Sequence, residues 1–185
     1  MNAPFVVRHR RTSAARLEKD FGADVAVFDL TSKGPEPWVR FSPFFPHGGI
    51  PVPGRPGTVS QSVEGIWQGL KVFEAHGVDL SRMEVTNMRG LKRTVRRFGP
   101  VRGHLFGAEP GELLLYGQAR HQIYLPAYRW VLENALQGEV AQLRQVWQGG
   151  RAVVLLDYET NVDVDDLSRP LSHAGLVVRY CTGKW

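Results

Sequence analysis

The amino-acid sequence predicts an α+β fold, because helical and strand patterns alternate along one chain of 185 residues. Helical spacing or capping residues predict helices over 12–21, 62–73, 85–98, 127–136, 139–147 and 165–174. Apolar runs with β-branched residues predict strands over 25–30, 151–157 and 176–180. The length suits one compact domain over 1–185, with residues 1–22 as a peripheral arm or a short helix.

Composition excludes several classes of protein. Cys181 is the one cysteine, which excludes an intramolecular disulfide and Cys-rich zinc patterns. No apolar run approaches the roughly 20 residues that span a bilayer, and the N-terminus lacks a signal-peptide core. We therefore expect a cytoplasmic protein without a membrane partner. The net charge of +5 favours phosphorylated or polyanionic partners, and nucleic acid is one candidate.

The N-terminal third combines two regular elements with a long loop. Thr12 or Ser13 caps the first helix, and Gly22 ends it. The strand over 25–30 follows, and residues 33–61 are rich in proline and glycine, which predicts an irregular segment. This segment carries an aromatic group that suits either stacking on a heterocycle or filling a core: Trp38, Phe41, Phe44, Phe45 and His47.

The most informative stretch is the helix predicted over 62–73, which Ser60 or Ser62 caps. Glu64, Gln68 and Lys71 are spaced i, i+4 and i+7, which places them on one helical face. A carboxylate and an ammonium two turns apart can flank a ligand, handle protons or stabilise a developing positive charge. The alternative is an amphipathic helix with a solvated polar side.

A basic helix is predicted over 85–98. Five cations fall at helical spacing, which suits a phosphate, a pyrophosphate or a nucleic-acid backbone, or else forms a solvated cationic face: Arg89, Lys92, Arg93, Arg96 and Arg97. Neither a Walker A loop nor a GxGxxG motif occurs. A GxSxG elbow is also absent, which disfavours classical hydrolase chemistry.

The C-terminal region follows two helices that break at Gly138. Polar residues directly after the buried strand over 151–157 are typical of a site at a sheet edge: Asp157, Asn161, Ser172 and His173. His173 is the best-placed histidine for acid–base work, with a structurally hydrogen-bonded role as the alternative. The acids at 157, 163, 165 and 166 do not match the EF-hand spacing, so we predict no metal site. We also expect no cofactor.

The order Phe28-Asp-Leu-Thr-Ser, Phe41-Ser-Pro-Phe-Phe, Ser62-Val-Glu64 and Gln68-Gly-Leu-Lys71-Val-Phe resembles the NADAR/YbiA-like family over about residues 25–100. Three features differ from the family pattern. The Asn of Phe-Ser-Asn-Phe is Pro43, the His after the Glu is Gly65, and the C-terminal Asp…Trp-Gly motif is not evident, with Asp157, Asn161, Ser172 and His173 as its substitutes. The resemblance is to a divergent bacterial or phage branch. It implies a compact, mainly helical α+β fold with a few short strands.

The resemblance also implies N-glycosidase activity on a ribosylated or ADP-ribosylated base. It makes Glu64 and Lys71 the catalytic residues. The expected ligand is a phosphorylated nucleoside-type molecule such as ADP-ribose. Its binding residues would be Trp38, Arg40, Phe41, Ser42, Phe44, Gln68, Lys92, Arg93, Asp157, Asn161, Ser172 and His173.

Two other functions fit the same residues. One is a nucleotide-binding or nucleic-acid-binding protein that lacks catalysis, which the differences at Pro43, at Gly65 and in the C-terminal region favour. The other is a phage or bacterial structural protein. The sequence does not fix the oligomeric state.

Overall fold

The computed structural model describes residues 3–108 and 110–185. Helices hold 37% of the residues and strands 18%, so the α+β prediction is confirmed. The helices are α1 (Ala14–Phe21), α2 (Val63–Gly69), α3 (Val95–Phe98), α4 (Tyr116–Ala119), α5 (Leu125–Asn134), α6 (Gln137–Gln148) and α7 (His173–Cys181). The strands are β1 (Phe5–His9), β2 (Ala26–Asp29), β3 (Ile50–Pro51), β4 (Val59–Ser60), β5 (Lys71–Phe73), β6 (Val101–Phe106), β7 (Glu112–Leu114) and β8 (Val153–Asp157).

The chain divides into two compact units. The first unit contains the chain up to Ser42 together with Leu136–Trp185, and the second contains Pro43–Ala135. The prediction of one domain over 1–185 stays a prediction. The short helix expected within residues 1–22 is present as α1, which Ser13 caps by accepting a hydrogen bond from the Arg16 amide. Strand β1 precedes it and was not predicted.

The first unit is built on a three-stranded parallel sheet in the order β1-β8-β2. The central strand β8 is apolar because its two faces are covered, and Val153, Val154 and Leu155 are fully buried. Helices α6 and α7 pack against β8, and α7 also contacts β1. The strands predicted over 25–30 and 151–157 correspond to β2 and β8.

Three predictions near the C-terminus are wrong. Residues 176–180 belong to α7 instead of a strand, because Ser172 caps a helix by accepting a hydrogen bond from the Gly175 amide at 3.1 Å. Residues 165–171 form turns and an isolated bridge, so the helix predicted over 165–174 does not form there. The helical break falls at residues 135–136, and Gly138 lies inside α6.

The second unit contains the short hairpin β3–β4 and an antiparallel sheet in the order β5-β6-β7. Helix α4 continues through a π-helical turn, Arg120–Tyr124, into α5. Helix α2 packs against this π-helical turn and against a 3-10 turn at Leu80–Glu84. This unit carries the segments of both the helix predicted over 62–73 and the basic helix predicted over 85–98.

Both of those helices are shorter than predicted. Helix α2 ends at Gly69, and Lys71 starts β5, because β6 takes up the backbone there: the Leu105 amide donates to the Leu70 carbonyl at 2.8 Å. Of the helix predicted over 85–98, α3 alone forms. Gly90, at φ +70°, lies outside the helical region, so residues 89–93 share no helical face.

Candidate functional site

The candidate site in the second unit begins with a buried carboxyl group. Glu64 lies in the first turn of α2, is 7% exposed, and donates its backbone amide to the Pro43 carbonyl at 2.8 Å. Burial raises the pKa of Glu64, because the ionised form loses its hydration. A hydrogen bond from Gln68 and the charges of Lys71 and Lys92 oppose that rise.

Gln68 connects this carboxyl group to an amine. Its Nε2 donates to Glu64 Oε1 at 2.8 Å, and its Oε1 accepts from Lys71 Nζ at 3.1 Å and from the Arg93 amide at 2.8 Å. Two donors on Oε1 fix the amide orientation, so the NH₂ group must face the carboxylate. The i, i+4 pairing of Glu64 with Gln68 is confirmed. Lys71 joins them from β5, although it was predicted on the helix.

The half-buried Lys71 has a perturbed titration. Burial lowers the pKa of Lys71, the charge of Glu64 opposes this, and the charges of Arg93 and Lys92 add to it. The Glu64 carboxyl, which holds its proton more tightly than usual, is therefore joined through one amide to an amine that releases its proton more easily than usual. Opposed shifts of this kind are typical of proton-handling sites, although structural networks show them too.

Arg93 was predicted to bind phosphate, but its guanidinium is committed to the backbone. Nη1 donates to the carbonyls of Gln68 at 3.2 Å and Lys71 at 2.6 Å, and Nη2 donates to that of Gly77 at 2.7 Å. The group also lies over the Phe73 ring, at 4.8 Å from its centroid. Arg93 therefore joins the end of α2 to β5 and positions the residues beside it.

Lys92 and Phe44 remain accessible in the same unit. Lys92 is exposed, its Nζ lies 5.4 Å from the centroid of the Phe44 ring, and its charge contributes to the pKa of Glu64. Arg96 and Arg97 on α3, and Arg89 before it, are exposed as well. The second unit thus offers an aromatic ring with a cation above it.

Sequence reasoning missed His104, which lies on β6 directly opposite Lys71. Its side chain is 1% exposed, and neither ring nitrogen has a hydrogen-bond partner among the described residues. The imidazole lies on the Trp67 ring, with 3.8 Å between centroids. Burial, with a contribution from the Lys71 charge, lowers the pKa of His104 to about 3, so the imidazole is neutral at physiological pH. Its position depends on strand pairing, which no local pattern revealed.

Gly65 marks a difference from the NADAR/YbiA-like pattern that the structure explains. A Cβ atom at this position would lie 2.7 Å from the Arg82 carbonyl oxygen and 2.9 Å from Ser60 Oγ. Real Cβ atoms do not approach backbone that closely. This chain therefore cannot hold a histidine next to Glu64 without moving the segment that carries Arg82.

In the first unit, Asp157, Ser172 and His173 form a second polar cluster. Asp157 Oδ2 accepts from Ser172 Oγ at 2.7 Å and lies 3.1 Å from His173 Nδ1. His173 Nε2 lies 2.9 Å from the Leu30 carbonyl, which can only accept. Both ring nitrogens therefore donate, and the imidazole is protonated beside an ionised carboxylate.

The pKa shifts of this cluster agree with an ion pair. Burial opposes the charged form of each group, but Asp157 raises the pKa of His173, and His173 with Ser172 lowers the pKa of Asp157. The pair joins the end of β8 to the start of α7. This is the structural alternative that the sequence left open for His173.

The other predicted ligand residues of the first unit also have structural contacts. Asn161 donates to the backbone carbonyls of the loop that follows it. The Trp38 ring packs on Phe28 at 4.4 Å, and Phe41 is fully buried. Ser42 is also buried, and Arg40 forms an ion pair with Glu139.

The structure therefore brings together Glu64, Gln68, Lys71 and Arg93 in one unit, and Asp157, Ser172 and His173 in the other. Within residues 3–108 and 110–185, no three His, Cys, Asp or Glu side chains are grouped so as to hold a metal ion. Each helix in this described part of the chain is too short or too polar to cross a bilayer.

Comparison with known proteins identifies a family without assigning an activity. No curated protein matches the sequence. Residues 9–177 match a family described as a family of unknown function, DUF6939, and this match covers most of the chain. The chain therefore belongs to the DUF6939 family.

Proposed function

We propose that this protein is an N-glycosidase that hydrolyses the bond between ribose and base in a ribosylated or ADP-ribosylated substrate. The proposal includes a distant relationship to the NADAR/YbiA-like family. The observation that carries it is the connected series of Glu64, Gln68 and Lys71, with a buried acid of raised pKa at one end and a half-buried amine of lowered pKa at the other.

This series suits the chemistry of N-glycoside cleavage. The bond between C1′ and the base nitrogen breaks, its electron pair goes to the base, and the sugar develops oxocarbenium character. A protonated Glu64 can deliver its proton to the departing nitrogen, and the carboxylate that results stabilises the cation. Water then adds to C1′ and returns a proton to Glu64.

Lys71 has two alternative roles in this scheme, one for each of its protonation states. As an ammonium it binds a ribose hydroxyl and holds the sugar beside Glu64. As an amine, which its lowered pKa favours, it can attack C1′ while the bond from C1′ to the base breaks and Glu64 protonates the departing base. Water then attacks C1′, and the amine leaves as the free sugar forms. Gln68 positions both groups, because its amide contacts each of them.

Phe44 and Lys92 supply the binding contacts that such a substrate needs. The Phe44 ring offers a stacking surface for the base. The exposed Lys92 ammonium, 5.4 Å from the centroid of that ring, offers a positive charge for a phosphate. Arg93 supports the site indirectly, because its guanidinium is bound to backbone carbonyls.

The experiment is a substrate panel with one catalytic variant and one matched control. Wild-type protein is incubated with ADP-ribosylated guanine in DNA and with ribosylated precursors of flavin synthesis, and free base is quantified by chromatography. Glu64→Gln should slow release by about 100-fold or more, the usual contribution of a general acid. Glu112→Gln, an exposed carboxylate of the same unit, should release base at the wild-type rate.

A Glu64→Gln variant as fast as the wild type would count decisively against the assignment. Failure of every substrate in the panel would instead favour the second candidate, a nucleotide-binding protein without catalysis. Gly65 specifically supports that candidate, because the space beside Glu64 excludes the histidine of the resembled family. Its affinity for DNA or RNA should fall steeply with salt, and salt-independent binding would exclude it.

A further inference from the structure

The first unit contains a cleft between strand β1 and helix α7 that the proposed glycosidase does not use. Its volume is about 570 Å³, within the range of small-molecule sites. Strand β1 lines it with residues 5–8, α7 and the chain after it contribute Val178, Arg179, Thr182 and Lys184, and Trp147 of α6 lines it as well.

The charged residues that line this cleft are all basic. Arg8, Arg179 and Lys184 line it, and no acidic residue is among its described lining. Within residues 3–108 and 110–185, the side chains of Arg179 and Lys184 form neither an ion pair nor a hydrogen bond. Such a group of like charges attracts anions.

The rest of the lining is apolar and aromatic. Phe5 and Trp147 pack with 5.7 Å between ring centroids. The Trp147 Nε1–H donates to the Ala3 carbonyl at 2.7 Å, so the indole is held in place before any ligand arrives. The hydroxyl-bearing Thr160 and Thr182 also reach the cleft. A ligand here would meet a fixed apolar wall beside a cationic one.

We propose that this cleft binds a small organic phosphate whose body is apolar or aromatic. The Arg179 guanidinium and the Lys184 ammonium match a phosphate dianion, because arginine donates to phosphate oxygens in a planar, two-pronged geometry. Arg8 adds positive charge to the lining of the cleft, while its guanidinium donates to the Val7 carbonyl at 2.9 Å and lies 4.9 Å from the centroid of the Phe21 ring. The aromatic wall supplies the contact area for the body. The site uses residues of the first unit alone, so it stands or falls independently of Glu64 and Lys71.

Isothermal titration calorimetry with 4-methylumbelliferyl phosphate tests this proposal. The full-length protein should bind this probe saturably, with Kd below about 1 mM. Uncharged 4-methylumbelliferone lacks the phosphate, and inorganic phosphate lacks the aromatic body. Each should bind at least about tenfold more weakly than the probe.

Variants locate the site. Arg179→Gln and Lys184→Gln should each weaken binding by about tenfold or more, as expected when a charge-assisted hydrogen bond is lost. Arg11→Gln removes an exposed charge of the same unit that does not line the cleft and should bind like the wild type. Any one of three results would overturn the proposal: no binding of the probe, equal binding of 4-methylumbelliferone, or equal binding by Arg179→Gln and the wild type.

Discussion

Replacement of His104 with phenylalanine should make the protein less sensitive to acid. The imidazole is buried on Trp67, and neither of its nitrogens is hydrogen-bonded to a residue that the structure describes, so the folded protein resists its protonation. The unfolded chain accepts that proton readily. Because the pKa of His104 is lower in the folded state, its contribution to stability is complete above about pH 6.5 and is lost progressively as the pH falls toward about 3.

The size of the effect follows from this difference in pKa. At pH 5, the unfolded chain is protonated at an imidazole of pKa about 6.5, and the folded protein, with a pKa of about 3, is not. The gap of about 1.5 pH units, at about 1.36 kcal/mol per unit, costs the wild type about 2 kcal/mol of unfolding free energy relative to pH 8. The variant does not lose this contribution.

Urea denaturation at pH 8 and pH 5, followed by circular dichroism, measures the difference. The unfolding free energy of the wild type should fall by about 2 kcal/mol more than that of His104→Phe. Any packing penalty of the larger ring is the same at both pH values and cancels. Equal losses in the two proteins would show that His104 is hydrated or hydrogen-bonded in solution.

Three further substitutions test the supports of the two polar clusters. Arg93→Gln should lower the unfolding free energy by about 3 kcal/mol in urea denaturation, because three backbone carbonyls lose a charged donor; a loss under 1 kcal/mol would contradict this. Asp157→Asn should cost about 3–5 kcal/mol at pH 7, because it leaves the His173 imidazolium buried without its partner. That cost should shrink as acid protonates wild-type Asp157, whose pKa is lowered in the folded state; a pH-independent cost would refute the ion pair. Gly65→Ala should lower the melting temperature, because its Cβ would lie 2.7 Å from a backbone oxygen, whereas Gly138→Ala has open space and should not; equal melting temperatures would refute the close approach.

The elements that the sequence predicted well are those set by local pattern. The buried run of β8 and the capped helix α1 carry their own signals in consecutive residues. The sheet of β5, β6 and β7 was missed, because β5 and β7 hold three residues each and the sheet forms only when these segments pair with β6. The same pairing ends α2 at Gly69, where local spacing alone favoured a longer helix.

The candidate site was likewise predictable only where local spacing along the chain sets the contacts. The neighbourhood of Glu64 and Gln68 follows from one turn of helix, which the sequence shows directly. Lys71 reaches Gln68 from a strand, so its place in the series depends on tertiary structure. The places of Arg93 and His104 depend on tertiary structure entirely. The Arg93 guanidinium donates to backbone carbonyls, and His104 lies opposite Lys71 because of the β5–β6 register.

The central claim is that Glu64 and Lys71 act as one catalytic unit, and a double-mutant cycle on kcat/KM tests it most directly. Base release is measured for the wild type, Glu64→Gln, Lys71→Gln and the double variant on the best substrate of the panel. Groups that act together give strongly non-additive losses, so the double variant should be no slower than the slower single variant. Single losses that multiply in the double variant, or a Glu64→Gln variant that keeps wild-type kcat/KM, would contradict it.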